Sequence, residues 1–387
     1  MGVISRISRG ILKVAGEEFK AIFSDSGALL LILFATMIYT VIYSLVYGGE
    51  VVRDVPIAVV DDDNTAMSRH LVSGVDGGPD THVAYEVESM ARAKGLFYEG
   101  QVFGILYIPD GYERSILAGE QANVGLVIDG SHLLIYSHIM KQGVADALTM
   151  GAEVEVSRLM NEGVDVETIP SLVDPVAHDV NLVYNPSMGY GSFVMPSILI
   201  VIIQQTMIIG LALIAVRRRE RGGCNIARPI IIVLSKILVY IVIYGVILMI
   251  VLGVIWPIFS FPNMGDIGDV VTLLLIYCVC VTSLGLTLSH LFVRRESPLM
   301  LLLWSSVPVL LVAGVSYPYE ALPDWLYTLG RLLPSSSAVN GFIEINSMGA
   351  SLNDVATEIN TLVILTIVYL LSAIICEYRC VKCGIMS

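Results

Sequence analysis

No glycine in this 387-residue chain is followed by lysine, so the loop in which glycine N–H groups and a lysine cradle nucleotide phosphates is missing. The chain cannot by itself be a P-loop ATPase. Charge is also scarce, at 15% of residues against a usual quarter for soluble proteins, while 55% are hydrophobic and the mean hydropathy is +0.77. Such a chain belongs in a bilayer. The segment 50–187 has no cysteine, and the six cysteines elsewhere fall within or beside apolar runs, so no disulfide is expected.

What is present is a series of apolar runs long enough to cross about 30 Å of hydrocarbon as helices. They lie at Gly27–Tyr47, Phe193–Val216, Ile230–Trp256, Val270–Val293, Pro298–Val315 and Asn360–Cys376. Six spans put both termini on one side. The segments sharing that side hold 14 Lys/Arg and 6 Asp/Glu, the opposite ones 8 and 29, so the formal charge of −13 averages two faces of opposite sign. Because Lys and Arg stay inside, both termini are expected in the cytoplasm of a multi-pass bacterial inner-membrane protein. The first run follows a 26-residue lead and has no small-x-small cleavage pattern before Glu50, so it is expected to remain as an anchor.

The expected organisation has five parts. Residues 1–26 read as a basic amphipathic helix on the inner leaflet, with a frayed tail as the alternative, and 27–49 as the first span. Residues 50–187 form an extracytoplasmic α/β domain with strands near Val55–Val60, Val102–Ile108 and Val124–Ile128, and helices near Thr65–Val72, Met90–Glu99 and Leu133–Asn161. With 22 acidic and 7 basic residues it is no platform for nucleic acid. Residues 188–376 carry spans two to six, with a cytoplasmic loop at 217–229 and an external segment at 316–359 whose prolines and apolar residues suggest re-entrant helices rather than an ordinary surface loop. A short tail, 377–387, completes the chain.

Ion-coupled carriers place titratable side chains at membrane depth, and the spans hold almost none. Their polar residues are mild. Gln204 and Gln205 in the second span and Ser305 and Ser306 in the fifth are candidates to line a path, and interhelical hydrogen bonding is the competing role for the glutamines. The run from Arg217 to Gly223, followed by Arg228-Pro229, serves either as a positive-inside anchor or as a short helix contacting a cytoplasmic partner. Asp61-Asp62-Asp63-Asn64-Thr65 stands between a strand and a helix, where turn and cap roles outweigh a metal site. Cys380 and Cys383 lack a second ligand pair for zinc. Tyr39, Tyr43 and Tyr47 stripe one face of the first span, as packing or an aromatic belt would require.

Four stretches carry a resemblance over nearly the whole length: VPIAVVDDDNTAMSRHLV, LVYNPSMGYGSFVMPSIL, RRRERGGCNIARPIIIVLSKIL and GVSYPYEALPDWLYTLGRLLPSSSAVNGFIEI. In order and at these spans they resemble the permease subunit of ABC type-2 exporters, in the branch with a large extracytoplasmic domain between the first two spans and close to its multidrug export permeases. Tyr184-Asn185-Pro186 and Pro196 match that family's asparagine-proline approach to the second span. The resemblance implies a six-helix permease plus one α/β domain, no cofactor and no catalytic residue, and separate cytoplasmic ABC ATPase subunits. It implies a second permease copy or a related paralogue, and a periplasmic adaptor docking on, or an exit gated by, the external domain. It further implies a coupling helix with Arg219, Glu220, Gly222, Pro229 and Lys236 at matching positions, departing from the family at Gly223-Cys224-Asn225. Pro318, Pro323 and Trp325 fall in the segment like the family's outer gate. The expected cargo is an amphipathic small molecule, with a lipid-linked or polymeric envelope component or sodium as alternatives, and a membrane-anchored receptor or scaffold as the reading outside transport.

Overall fold

The computed structural model describes residues 2–49, 52–176, 183–186, 188–221, 228–315, 317 and 321–386. Gly222 and Pro318, both expected to be functional, lie outside the described residues. The chain divides into a helical unit, Met1–Glu50 with Leu182–Ser387, and a sheet unit, Val51–Asn181.

The helical unit begins with α1 (Gly2–Phe23) and α2 (Ser26–Tyr47). The sheet unit contains β1 (Val55–Asp61), α3 (Ala66–Gly77), β2 (Thr81–Glu86), α4 (Met90–Tyr98), β3 (Gly104–Ile108), α5 (Tyr112–Leu117), β4 (Gly125–Ile128) and α6 (Leu133–Asn161). The helical unit resumes with α7 (Tyr190–Glu220), α8 (Pro229–Ile258), α9 (Ile267–Ser289), α10 (Glu296–Val312), α11 (Asp324–Gly330), α12 (Pro334–Phe342) and α13 (Ala356–Met386).

Among the described residues, α2, α7, α8, α9 and α13 are long and apolar enough to cross a membrane. The run expected at Pro298–Val315 forms the shorter α10, 17 residues or about 25 Å at 1.5 Å per residue. It stops because Gly314, at φ +79°, takes the left-handed conformation that ends helices. Helix α7 is the hub: it packs on α2, α9, α10 and α12, and its apolar window is 83% buried. Helix α1 lays Val14, Ala15, Glu18 and Ile22 inward and packs on α8, leaving Leu12, Phe19 and Phe23 outside.

Close packing between spans is bought with small and hydroxylated residues. Thr36, Thr40 and Ser44, four residues apart on α2, are fully buried. Thr36 Oγ1 lies 3.0 Å from Thr206 Oγ1, and Tyr244 donates its hydroxyl to the same Thr206 oxygen at 3.0 Å, so α2, α7 and α8 meet at one polar point. A side chain at Gly210 would collide with Ile32, which explains the glycine at that approach. Helix α12 has its whole first turn buried, and its Ser335 N–H donates to Gln204 Oε1 at 2.9 Å. Since Gln204 sits midway along α7, the segment between α10 and α13 turns back into the bundle.

In the sheet unit the strand order is β2-β1-β3-β4, parallel except for β4. The period of two along β1 sends Val55, Ile57 and Val59 to one face, under α3, α5 and α6, and Ala58 and Val60 to the other, under α4. The unit is a three-layer α/β sandwich. Strand β2 had no signal in the sequence because THVAYE is short and half polar, and at the sheet edge it buries only Thr81 fully.

The acidic turn after β1 is a clasp. Asp61 accepts from the Asp63 and Asn64 N–H groups and from Ser68 Oγ, and the Thr65 hydroxyl caps α3. Asp63 accepts from Gly111 N–H at 2.8 Å, Glu113 N–H at 3.0 Å and Thr65 Oγ1 at 2.6 Å. No group of metal-ligating side chains forms among the described residues. Burial pulls the Asp63 carboxyl upward, but the bonds from Thr65 and the N–H groups of Glu113, Gly111 and Tyr112 prevail and hold it below the usual 3.8.

Asp63→Ala should therefore destabilise the sheet unit by about 1–2 kcal/mol, the usual worth of a helix cap, lowering the urea midpoint for exchange of the β1 and β3 amides in the full chain. A depressed carboxyl contributes stability above the unfolded value of 3.8 that is lost as pH falls through the lower folded value. The wild type should lose this increment only below about pH 4, and Asp63→Ala should show no such limb.

Candidate functional site

Charged residues from α1, α7, α8 and α13 and from the turns before α2 and α10 meet at one end of the helical unit in ion pairs. Asp25 stands between α1 and α2, where Ser24-Asp25-Ser26-Gly27 precedes an apolar run. Its carboxylate caps α2 by accepting from the Gly27 and Ala28 N–H groups at 3.0 and 3.1 Å. The same carboxylate receives Arg295, from the residue before α10, at 2.5 and 2.6 Å, and Arg217, from the last turns of α7, at 2.9 Å. Its side chain is 1% exposed. Burial works to raise the Asp25 carboxyl, but the Ala28 N–H, the guanidinium groups of Arg295 and Arg217, and the Gly27 N–H together hold it below 3.8.

Two further pairs extend the junction. Glu18 of α1 pairs with Arg218 of α7 at 2.5 Å, and Lys236 of α8 pairs with Glu377 of α13 at 2.7 Å, with His290 3.9 Å from the same carboxylate. Arg219 donates to the carbonyl of Ser289 at the end of α9. A cavity of about 40 Å³ lies among Arg218, Arg219, Lys236, Ser289, His290 and Glu377. Every long helix of the unit thus sends a group to this end.

Of the residues expected to couple to a partner, Lys236 is turned inward to Glu377 and Arg219 to Ser289, which makes both parts of the junction. Glu220, the last residue of α7, is exposed, and Pro229 opens α8. Between them lies 222–227, outside the described residues. The path candidates separate. Gln204 is spent on Ser335, in the hydrogen-bonding role, whereas both amide atoms of Gln205 are buried without a partner among the described residues. Ser305 and Ser306 lie on α10, and Ser306 donates to the Leu303 carbonyl of its own helix. Pro323 stands at the start of α11 and Trp325 is exposed on it.

Glu18, Asp25, Arg295 and Glu377 were missed as individual residues because a sidedness count treats each charge as an anchor in water. The available signal was the acid within a basic segment: Glu18 and Asp25 needed cations at hand to be buried next to a membrane.

Asp25→Asn keeps the α2 cap, since asparagine caps as well as aspartate, and removes only the charge between two arginines. It should cost about 1–3 kcal/mol, read as a lower thermal midpoint of the detergent-solubilised chain, because the largely buried Arg217 loses its carboxylate, whereas Arg295, 41% exposed, can turn to water. The wild-type contribution exists above 3.8 and disappears as pH falls through the lower folded value of Asp25, so the difference between the two proteins should persist from pH 8 to 5 and close below about 4.

Comparison with known proteins gives this architecture its relatives. The chain is 22% identical over 370 residues to the linearmycin resistance permease protein LnrN of Bacillus subtilis (strain 168), covering 89% of this chain and 93% of that protein. It is 21% identical over 357 residues to the probable multidrug ABC transporter permease YbhR of Escherichia coli (strain K12), covering 90% and 93%. The family described as ABC-2 family transporter protein matches residues 27–375, nearly the whole of the helical unit together with the sheet unit inserted in it, and the chain belongs to that family.

Proposed function

We propose that this chain is the permease subunit of an ABC exporter, with ATP hydrolysed on separate cytoplasmic subunits. The observation that carries the reading is the junction itself. The ends of α7 and α8 are tied by ion pairs to α1, to the turn before α2 and to α13, that turn is tied in addition to the residue before α10, and Glu220 and Pro229 stand at those tied ends. A push delivered there by an ATPase is shared by all the helices rather than absorbed by one, as a switch between two packed states requires. The basic end is cytoplasmic in this reading, and α10 completes six crossings with the two termini on the same side.

The path runs between two copies of the chain, or this chain and a paralogue. Its supports are the amide of Gln205, buried without a partner among the described residues, and the exposed face of α10, where Met300, Leu303, Trp304 and Val307 stand outward in a single copy. Ser305 and Ser306 belong to that wall. Helices α11 and α12 close the outer end with Pro323 and Trp325, and the sheet unit is the extracytoplasmic domain whose surface an adaptor would take. The relatives' names, one for linearmycin resistance and one for multidrug transport, favour an amphipathic small molecule as cargo.

The coupling test uses Glu220→Arg, because Glu220 is exposed and free of the junction while Arg219 is not. Affinity-tagged wild type purified in mild detergent should bring down a P-loop ATPase in stoichiometric amount. The variant should retain roughly a tenth or less of it, with an unchanged thermal midpoint, since reversing one charge at a docking surface costs contact without touching the fold. A wild type that repeatedly emerges without any ATPase overturns the proposal.

A further inference from the structure

At the basic end, α8 and α13 flank a groove of about 540 Å³. Its walls are Pro229 and Ile230 at the start of α8 and Ile374, Ile375 and Tyr378 on α13, with Arg379 and Lys382 at its rim. The lining is overwhelmingly apolar and the rim is cationic. Neither cation has an ion-pair partner among the described residues, and the neighbouring acid, Glu377, is 7% exposed and committed to Lys236. That buried pair also fixes the separation of the two walls.

The groove opens onto two parallel apolar tracks. On α8, Ile230, Leu234, Leu238 and Val242 stand outward at intervals of four residues, each 41–53% exposed. On α13, Ile375, Leu371, Val368 and Ile364 stand outward at intervals of three or four residues, each 53–61% exposed. Each track rises about 17 Å along its helix, the reach of an acyl chain's first dozen carbons. A detergent-like surface of this kind, with cations at one end only, is complementary to an amphiphile carrying an anionic head.

We propose that the α8–α13 groove is a binding site for an anionic glycerophospholipid, whose phosphate lies between Arg379 and Lys382 and whose acyl chains follow the two apolar tracks. Basic pockets between membrane helices on the cytoplasmic side recognise headgroups in this way, and the long stems of Arg379 and Lys382 place their charge at the headgroup level while covering the apolar wall. The leaflet rests on the sidedness proposed above: it is the cytoplasmic one, where Lys and Arg accumulate. The lipid would stand beside Pro229, the first residue after the segment proposed to meet the ATPase, so the charge of the leaflet would bear on coupling. A zwitterionic lipid would satisfy the tracks but not the rim, and a second copy of this chain would bring its own cations to the same end.

The test is native mass spectrometry of the delipidated full-length chain, titrated with phosphatidylglycerol or with phosphatidylcholine of the same acyl chains. One variant is Arg379→Gln with Lys382→Gln. A control, Arg9→Gln with Lys13→Gln, removes exposed cations of α1 elsewhere at the same end. Expected is a first phosphatidylglycerol adduct at least tenfold tighter than the phosphatidylcholine one, a preference that the double variant loses and the control keeps. Ile375→Trp, which fills the groove, should weaken both lipids. Three results would overturn the proposal: equal affinity of the wild type for both lipids, full retention of phosphatidylglycerol by the double variant, or lipid-free dimers abolished by Ile375→Trp. The measurement needs neither an ATPase nor a particular topology, so its failure is separate from failure of the permease reading.

Discussion

Charge brought to the edge of a hydrocarbon layer must be paired, and the helical unit is organised around that requirement. Isolated burial of one carboxylate or guanidinium costs several kcal/mol, whereas a pair with good geometry recovers most of it. The chain places its buried carboxylates, Glu18, Asp25 and Glu377, on three different segments and their cations on three others, so no pair can form until the helices are assembled. Asp25 is the tightest knot because one carboxylate serves as helix cap and as acceptor for two arginines. These pairs add little net stability compared with apolar packing. What they add is registry: a helix displaced by one turn leaves a stranded charge, and the cost of that error holds α1, α7, α8, α10 and α13 in one arrangement.

Away from that end the same economy is run with neutral groups. Apolar packing alone does not distinguish a helix from the lipid around it, so the interior contacts rely on small residues and hydroxyls. Thr36, Thr206 and Tyr244 join three spans through one oxygen, and the Tyr277 hydroxyl donates to the Ile200 carbonyl at 2.7 Å. The Ser335 N–H is the sharpest case. A helix that begins inside the bundle exposes donors that water cannot reach, and Gln204 supplies the acceptor. Gln204 and Gln205 are adjacent in sequence and opposite in role because successive residues of a helix face different sides: one is consumed in closing the fold, the other left with an unfilled amide.

Most of the architecture was legible because its signals are long. Runs of apolar residues locate four spans to within a few residues and the fifth, α13, short of its C-terminal end by ten, and the short apolar run Val55–Val60 marks β1, one of the two inner strands of the sheet. The short elements were not legible. Strand β2 is short, half polar and at the sheet edge, α5 is six residues long, and the C-terminal part of the fifth apolar run is cut away by Gly314. At the site, sequence spacing identified the basic run at the end of α7 and the proline opening α8. It could not show that Arg217, Arg218 and Arg219, consecutive in the chain, point to Asp25, Glu18 and the Ser289 carbonyl respectively. Partners distant by up to 270 positions are a property of the assembled helices, and a charge count averages them away.

The sheet unit carries a different lesson about function. Its strand order reverses at β1 and β3, and the carboxyl ends of such strands are where open α/β sheets ordinarily receive an anionic ligand on the N–H groups of the following helix. Here that position is occupied by the chain's own Asp63, which takes the Gly111 and Glu113 N–H groups and the Thr65 hydroxyl. Gly111, at φ +83°, turns the backbone so that its N–H faces the carboxylate. With an internal anion in place, a phosphate or carboxylate ligand would have to displace a covalently tethered competitor and meet Asp61 and Asp62 beside it. The crevice is therefore sealed as a small-anion site. The outer surface of the sandwich is strongly acidic, with 22 Asp/Glu against 7 Lys/Arg over residues 50–187.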